Sequence, residues 1–364
     1  MRIFSLLIAV LLLQACGQPP EEKTLVQHEP RKVEAGIAQD VAVLRKQQVA
    51  NPSYTLDITL SAEDEPFRGK VLIDFDYTPQ GADLSVDFAK GEVLTVSVNG
   101  EPVAYDYNGF FLSIAEEHLT QGHIQLSVEF THPYSKDGSG LYYFKDPIDD
   151  TVYTYSDLEP FSANKIFPLF DQPNLKASYT INADVPKHWQ VVSTQRESSI
   201  DTAGERAVWH FPKTQLISSY VVSLHAGDYY QFDLGDFEGI DLRLFSRQSN
   251  KDYVPVEEWN QVTRQGFAFF NDFFGIAYPF GKFDQLAVPD FNSGAMENVG
   301  AVTFADQYCC TQGERSLAHK SFFINMSNNK PNLIHMSTNH YFFTFFSFFN
   351  CYNISHVVNS YFIY

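Results

Sequence analysis

The stretch YTLDITL, residues 54–60, places an apolar side chain at every second position. Successive side chains of a β-strand point to opposite faces, so this period of two predicts a strand with one face on a core. The same period recurs at 71–77, 94–98 and 124–130, and in the second of these runs it predicts that Leu94, Val96 and Val98 are buried. The chain after residue 50 is therefore predicted to consist of half-buried strands.

Turn signals separate these runs. Asn99-Gly100 and Asn108-Gly109 each stand between alternating segments, and Asn-Gly readily supplies the positive φ of a tight hairpin. Further β pattern continues through KASYTI, WQVVST, AVWHF and SSYVVSLHAGDYYQF. We predict one antiparallel, sandwich-like β domain over residues 50–247.

The hydrophobic period changes after residue 248. Between 256 and 274 apolar residues recur at helical spacing, and Gly275 follows them as a residue that commonly ends helices. The side chains predicted to face a core are Trp259, Val262, Phe267, Phe270 and Phe274. A chain of 364 residues is long enough for two cores. The predicted class is therefore mainly β, with a partial α+β second domain that begins at residue 248.

The first sixteen residues have the form of an export signal, with an arginine at position 2, an apolar run at 3–13 and then Gln14-Ala15-Cys16. Their end, LLLQAC, resembles a bacterial lipobox, in which the cysteine becomes the lipidated first residue of the mature protein. We expect lipidation at Cys16 and an exported lipoprotein on the periplasmic side of the outer membrane. An ordinary cleaved signal and a membrane anchor are the alternatives.

Residues 17–49 join this signal to the first strand. Prolines and mixed charges at 17–35 show no apolar period, which is typical of a flexible tether. A short helix is predicted to follow, with Ile37, Val41 and Leu44 on one face.

The charge balance restricts the partners. The chain has 44 acidic and 25 basic residues, a formal net charge of −19, and no basic run. A surface that binds phosphates needs clustered Lys and Arg, so we expect no nucleic-acid partner. The four cysteines are Cys16, Cys309, Cys310 and Cys351, so residues 17–308 contain no disulfide framework.

Residues 294–298 read GAMEN, between YPFGKFDQLAVPDF and VGAVTF. This segment resembles the substrate-binding signature of the aminopeptidase N family, zinc exopeptidases of the gluzincin type. Residues 159–179, EPFSANKIFPLFDQPNLKASY, are similar to the part of that family's N-terminal β domain that reaches the active site. Leu169, Lys165 and Asp157 stand where the family commonly has Cys, Arg and Gln. The resemblance covers about 36–308 and implies that 248–308 begins a thermolysin-like catalytic domain.

The resemblance implies a substrate site made of Glu297, Glu159, Gly294, Ala295, Met296, Asn298 and Asp157. An enzyme that acts next to a free α-amine needs acceptors that favour an ammonium group. By resemblance Glu297 and Glu159 are these acceptors for peptide N-termini, and the backbone at Gly294 and Ala295 pairs with the peptide like an added strand. Composition alone favours another interpretation, in which Glu297 is a solvated carboxylate at a strand end and Glu159 is a loop residue.

The zinc motif of that family, His-Glu-x-x-His on a helix, does not occur in this sequence. The dipeptide His28-Glu29 lies in the tether without a second histidine at the required spacing, and His335 and His340 are five positions apart, which places them on different helix faces. No Asp or Glu follows Glu314. We therefore identify no metal-ligating residue and expect neither catalytic zinc nor turnover from this chain as given.

The last segment, 309–364, differs in composition from the rest, since 315–364 contains no Asp, Glu, Gly or Trp. We expect a tail that does not fold with the rest, as a frameshift or read-through would produce; a genuine terminus and a membrane helix over 341–364 are the alternatives.

The competing function is a non-catalytic, β-rich lipoprotein that binds peptides or amines. That hypothesis would leave apolar surface of the 256–274 helix uncovered.

Overall fold

The computed structural model describes residues 31–32 and 36–308. The predicted signal peptide with Cys16, most of the tether and the tail at 309–364 lie outside the described residues. None of the helices within the described ranges is long and apolar enough to cross a membrane.

The described chain contains two α-helices, α1 (Gln39–Gln48) and α2 (Val256–Phe274). The strands in the first half are β1 (Val49–Thr59), β2 (Phe67–Tyr77), β3 (Leu84–Asp87), β4 (Glu92–Val98), β5 (Glu101–Pro102), β6 (Asp106–Tyr107), β7 (Phe111–Ile114), β8 (Gly122–His132), β9 (Gly140–Lys145) and β10 (Val152–Asp157). Those that follow are β11 (Ser178–Pro186), β12 (Gln190–Ser193), β13 (Ser199–Ala203), β14 (Arg206–Phe211), β15 (Leu224–Gly227), β16 (Tyr230–Phe237), β17 (Ile240–Ser246), β18 (Lys282–Val288), β19 (Ala295–Met296) and β20 (Ala301–Ala305).

Three sheets form the first unit. They have the orders β13-β14-β11-β1-β2-β8-β4-β5, β12-β15-β10-β9 and β3-β7-β6. Their pairs are antiparallel except β1 with β11, which is parallel. Buried and more exposed positions alternate along β1, β2 and β8, with apolar side chains at the buried positions. The reason is that one face of the large sheet lies on the core. The predicted β domain is confirmed.

The prediction from the period of two that Leu94 is buried is wrong. Val96 and Val98 are buried as expected, but Leu94 is 47% exposed. On β8, Phe130 lies opposite Val93 and Glu129 lies opposite Thr95, so Leu94 is the extra residue of a β-bulge. A bulge inserts one residue into one strand and reverses the facing of the side chains before it. The alternation read from residue 98 back to 94 therefore fails at the bulge.

A five-stranded sheet of order β16-β17-β18-β20-β19 forms the second unit with α2. Strands β17, β18 and β20 are parallel neighbours, and α2 packs on the sheet with the Phe267 and Phe283 rings 5.0 Å apart. The predicted helix is confirmed, with Gly275 as its left-handed cap at φ 66°. The α+β character of this unit is also confirmed.

The sheet membership of β16 and β17 differs from the sequence prediction, which assigned residues up to 247 to the first domain. Both strands join the second sheet, because β17 pairs with β18 from Asp241 opposite Lys282 to Phe245 opposite Leu286. Their alternating pattern predicts strands but does not identify the sheet they join. By sheet membership the second unit begins at Tyr230.

Helix α1 buries a different face from the one predicted. Ile37 lies before the helix begins, Val41 and Leu44 are only half-buried, and Arg45 and Gln48 are the buried residues of the helix. An apolar-period argument ranks arginine as solvent-facing. It cannot recognise a buried carboxylate supplied from elsewhere in the chain.

Candidate functional site

Glu297 lies at the end of an edge strand. β19 pairs antiparallel with β20, with Ala295 opposite Phe304, and the N–H of Ala305 donates to the carbonyl of Gly294 at 3.1 Å. No described strand pairs with the outer edge of β19. The side chain of Glu297 is half-buried, and its carboxylate has no hydrogen bond or ion pair with any described residue. The segment 294–298 therefore places one carboxylate that has no partner among the described residues beside an open strand edge.

The two residues that flank Glu297 point into the protein. Met296 and Asn298 are 2% and 0% exposed. The Nδ2 of Asn298 donates to the carbonyl of Val222 at 3.2 Å, and its Oδ1 accepts a hydrogen bond from Thr303 Oγ1 at 3.0 Å. Their side chains thus hold the strand end in place and leave only Glu297 facing outward.

Residues just before β15 hold the same strand end. The N–H of Val299 donates to the carbonyl of Val221 at 3.0 Å. β15 pairs in turn with β10, where His225 lies opposite Tyr155, and Tyr155 Oη donates to the carbonyl of Asp290 at 3.2 Å. The first unit therefore contacts the segment 290–299 through β10 and through the residues just before β15.

Asp157 and Glu159 lie at the carboxyl end of β10. Ser156, next to Asp157, accepts a hydrogen bond from the N–H of Leu224 at 2.9 Å through its Oγ, two residues after Val222. Asp157 is half-buried and Glu159 is exposed. Their segment therefore lies beside the same 221–224 residues that hold the end of β19, so the fold brings the segments of Glu159 and Glu297 to one region.

The carboxyl of Asp157 is hard to ionise. Its pKa is raised to about 6, chiefly by burial and in addition by the negative charge of Glu159, while a hydrogen bond from the Glu159 backbone and the charge of Lys165 oppose the rise. Burial disfavours a carboxylate because the charge loses its water. A cation bound beside Asp157 and Glu159 would reverse that penalty.

The zinc that the resemblance implies can be tested against the donor set. Among residues 31–32 and 36–308, no three His, Cys, Asp or Glu side chains come close enough to hold a metal ion. The described residues do not fit a zinc site, and no chemical step in this region can be assigned to a metal.

Sequence reasoning missed one buried ionisable residue of this region. His225 is fully buried, its Nε2 lies 3.4 Å from Thr303 Oγ1, and its Nδ1 has no hydrogen-bond partner among the described residues. Burial, reinforced by the charge of Lys282, lowers its pKa to about 3, so the ring is neutral near pH 7. Its strand could be predicted, but the partner on β20 is 78 positions away and leaves no local signal.

Two family models match this chain. The Peptidase M1 N-terminal domain matches residues 50–221, and the Peptidase family M1 domain matches residues 259–323. The second match continues past residue 308, the last residue of the resemblance noted in the sequence.

Several curated proteins that are similar to this chain are aminopeptidases by name. Aminopeptidase N of Streptomyces lividans is 36% identical over 263 residues, which is 70% of this chain and 30% of that protein. Glutamyl aminopeptidase of Bos taurus is 28% identical over 274 residues, 70% of this chain and 28% of the relative. Aminopeptidase 2 of Candida albicans is 28% identical over 260 residues, 69% and 28% respectively.

The chain thus spans less than a third of the length of these relatives. The first matched region lies within the β domain, and the second covers the part of the other unit that presents Glu297. This chain belongs to peptidase family M1.

Proposed function

We propose that this chain is part of an aminopeptidase and that its described residues bind the α-ammonium group of a peptide, with Glu297 and Glu159 as acceptors. The observation that carries the proposal is the half-buried carboxylate of Glu297, which has no partner among the described residues and lies at the end of an edge strand. The family membership and the aminopeptidase relatives support the same substrate class.

The physical basis is charge complementarity. A half-buried carboxylate without a cation loses hydration and gains little in return, whereas an ammonium group restores a charge-assisted hydrogen bond. An N-acetylated peptide offers no such charge and would leave the carboxylate unpaired. The outer edge of β19 can pair with the peptide backbone as an added strand, which would place the N-terminus next to Glu297.

Peptide-bond cleavage in the whole protein is a proposal from the relatives' names. The resemblance implies zinc chemistry for that step, in which the metal activates water. This sequence contains no His-Glu-x-x-His, and the described residues do not fit a metal site. We therefore propose that this chain by itself recognises the N-terminus and releases no product from an aminoacyl chromogenic substrate.

Binding of a free amine tests the proposal. The probe is L-alanyl-L-alanine amide, titrated by calorimetry into the purified chain and compared with its N-acetylated form. We expect about a tenfold preference for the free amine, equivalent to one charged hydrogen bond, and loss of that preference in Glu297→Gln.

Glu117→Gln is the matched control, because it removes the same charge from an exposed residue of the β domain. It should leave the preference unchanged. Equal affinity of the unsubstituted chain for both probes would refute the proposed function.

Asp157 gives this binding a pH dependence. Because its pKa is raised to about 6, its carboxyl is mostly protonated at pH 5 and mostly ionised at pH 7. Free-amine affinity should rise about threefold over this range, as an additional carboxylate near an ammonium in a partly wet site adds under about 1 kcal/mol. Asp157→Asn should abolish the rise, and titrations at both pH values check it.

The free energy of unfolding should change with pH in the opposite direction to the free-amine affinity. A raised pKa means that the folded state holds the proton more tightly than the unfolded state. The stabilisation that protonated Asp157 contributes is thus fully present below the ordinary aspartate pKa of 3.8 and is lost as pH rises through about 6. An unchanged pH profile in Asp157→Asn would contradict this assignment.

We also propose export with a lipid on Cys16 and a location at the outer membrane. The support is the sequence of residues 1–17. A Cys16→Ser variant should move from the membrane fraction to the soluble fraction of a bacterial host. An unchanged distribution would exclude the lipid anchor.

A further inference from the structure

Asp171 is a fully buried carboxylate between the turn that carries Glu159 and the segment 219–222 that supports the end of β19. It is 0% exposed, and its own backbone N–H donates to Asp87 Oδ2 at 2.9 Å. Its two carboxylate oxygens accept hydrogen bonds from two different segments. These segments are not adjacent in the sequence.

One oxygen holds the turn that carries Glu159. Asp171 Oδ2 accepts hydrogen bonds from the N–H of Asn164 at 3.0 Å and from its Nδ2 at 2.9 Å. The same Nδ2 donates to the carbonyl of Phe161 at 3.1 Å, and the N–H of Ser162 closes the turn on Leu158 at 3.0 Å. Glu159 lies inside this turn.

The other oxygen holds the segment that supports the end of β19. Asp171 Oδ1 accepts a hydrogen bond from Ser219 Oγ at 2.6 Å, and Ser219 begins the short 3-10 helix Ser219–Val221. The last residue of that helix and the residue after it offer the carbonyls that bind Val299 and Asn298. The carboxylate of Asp171 is thus joined to both segments by short hydrogen bonds.

We propose that Asp171 is a positioning residue that holds Glu159 and Glu297 in a fixed relation, through Asn164 on one oxygen and Ser219 on the other. The proposal rests on the proposed function, because the relation matters when both carboxylates bind one ammonium group. Two acceptors on separate segments can share a small cation only if their separation is maintained before binding, since otherwise the ordering cost reduces the affinity.

Ser219→Ala tests this role without placing a new charge in the core. It removes one hydroxyl and leaves Asp171, Asn164 and both proposed acceptors in place. We expect the preference for free L-alanyl-L-alanine amide over its N-acetylated form to fall about fivefold, while affinity for the acetylated probe changes less than about twofold. Ser219→Thr retains the hydroxyl and should restore the preference.

Ser218→Ala is the matched control. Ser218 is also buried, and its Oγ donates to the carbonyl of Pro173 at 2.8 Å. The Ser218→Ala variant therefore loses a similar hydrogen bond at the neighbouring position, and that bond does not involve Asp171. It should leave the preference unchanged. If Ser219 only supported folding, Ser219→Ala would lower the affinities for the free and the acetylated probe together. Ser219→Thr would then not restore a difference between the two affinities.

Hydrogen–deuterium exchange of the full chain gives a readout that does not depend on ligand. Peptides covering 158–165 and 296–301 should both exchange faster in Ser219→Ala and not in Ser218→Ala. If the unsubstituted chain shows no amine preference, the proposed function fails, and exchange alone then decides whether Asp171 joins the two segments. Unchanged exchange in Ser219→Ala, or an unchanged preference, would overturn the positioning role.

Discussion

Replacing Asp87 by alanine is expected to lower the free energy of unfolding by about 3–5 kcal/mol, the usual cost of removing one partner of a buried ion pair. Asp87 is 0% exposed. Arg45 Nη1 donates to its Oδ2 at 2.6 Å, and Arg31 Nη1 donates to its Oδ1 at 2.6 Å. Without the carboxylate, the buried guanidinium group of Arg45 would lose its counter-charge and Arg31 would lose this ion pair.

The loss extends beyond the two arginines, because Asp87 also accepts the backbone N–H of Asp171. Arg45 is 1% exposed, and its burial is tolerated because its charge is paired. Urea denaturation followed by circular dichroism would measure the change. Since α1 supplies Arg45, its docking on β3 should weaken together with the global stability.

Lys187→Ala is the control for Asp87→Ala. Lys187 pairs with Glu205 at 2.6 Å, but these side chains are 45% and 88% exposed. Exposed pairs contribute at most about 1 kcal/mol, so this variant should unfold close to the parent midpoint. Similar midpoints for Asp87→Ala and Lys187→Ala would show that the buried cluster does not stabilise the fold as described.

Gly300→Ala is expected to lower the free energy of unfolding by about 3 kcal/mol or more, from a left-handed backbone and an overpacked contact together. Gly300 has φ +69°, and a Cβ built on it would lie 2.3 Å from the backbone oxygen of Thr194. A backbone oxygen cannot rotate away as a side chain does. The variant must shift the turn after Glu297, so it should also weaken the free-amine preference.

Gly275→Ala separates these two contributions. Gly275 has nearly the same φ, +66°, but a Cβ there meets nothing within 4 Å. It should therefore show only the backbone cost of about 1–2 kcal/mol. Denaturation midpoints of both variants measure the difference, and equal losses would argue against the close contact between Gly300 and Thr194.

Much of the secondary structure, and the residue that we propose as the main acceptor, could be predicted from local sequence. The alternation at 54–60 and 124–130 predicts buried positions that the structure confirms, because the period of a strand is a local property. The helix at 256–274 ends at Gly275 as predicted. Glu297 could be selected because the motif around it is contiguous.

Other features depend on partners far along the chain. Leu94 is exposed because of a bulge against β8, and β17 joins the second sheet through β18. Arg45 is buried through a carboxylate 42 positions away, and Ser219 reaches Asp171 across 48 positions. No local period carries these pairings, since each contact depends on how the sheets stack.

The sequence by itself therefore determined that this protein is mainly β with a helical element at 256–274, and that Glu297 lies in a segment that resembles the substrate-binding signature of the aminopeptidase N family. These conclusions depend on periodicity and contiguous motifs, which persist without tertiary contacts. Only the tertiary structure decided that Glu297 stands at an open strand edge while Met296 and Asn298 face inward. It also decided that Asp171 joins the turn that carries Glu159 to the segment 219–222, which supports the end of β19, because hydrogen bonds between distant residues exist only once the sheets have packed.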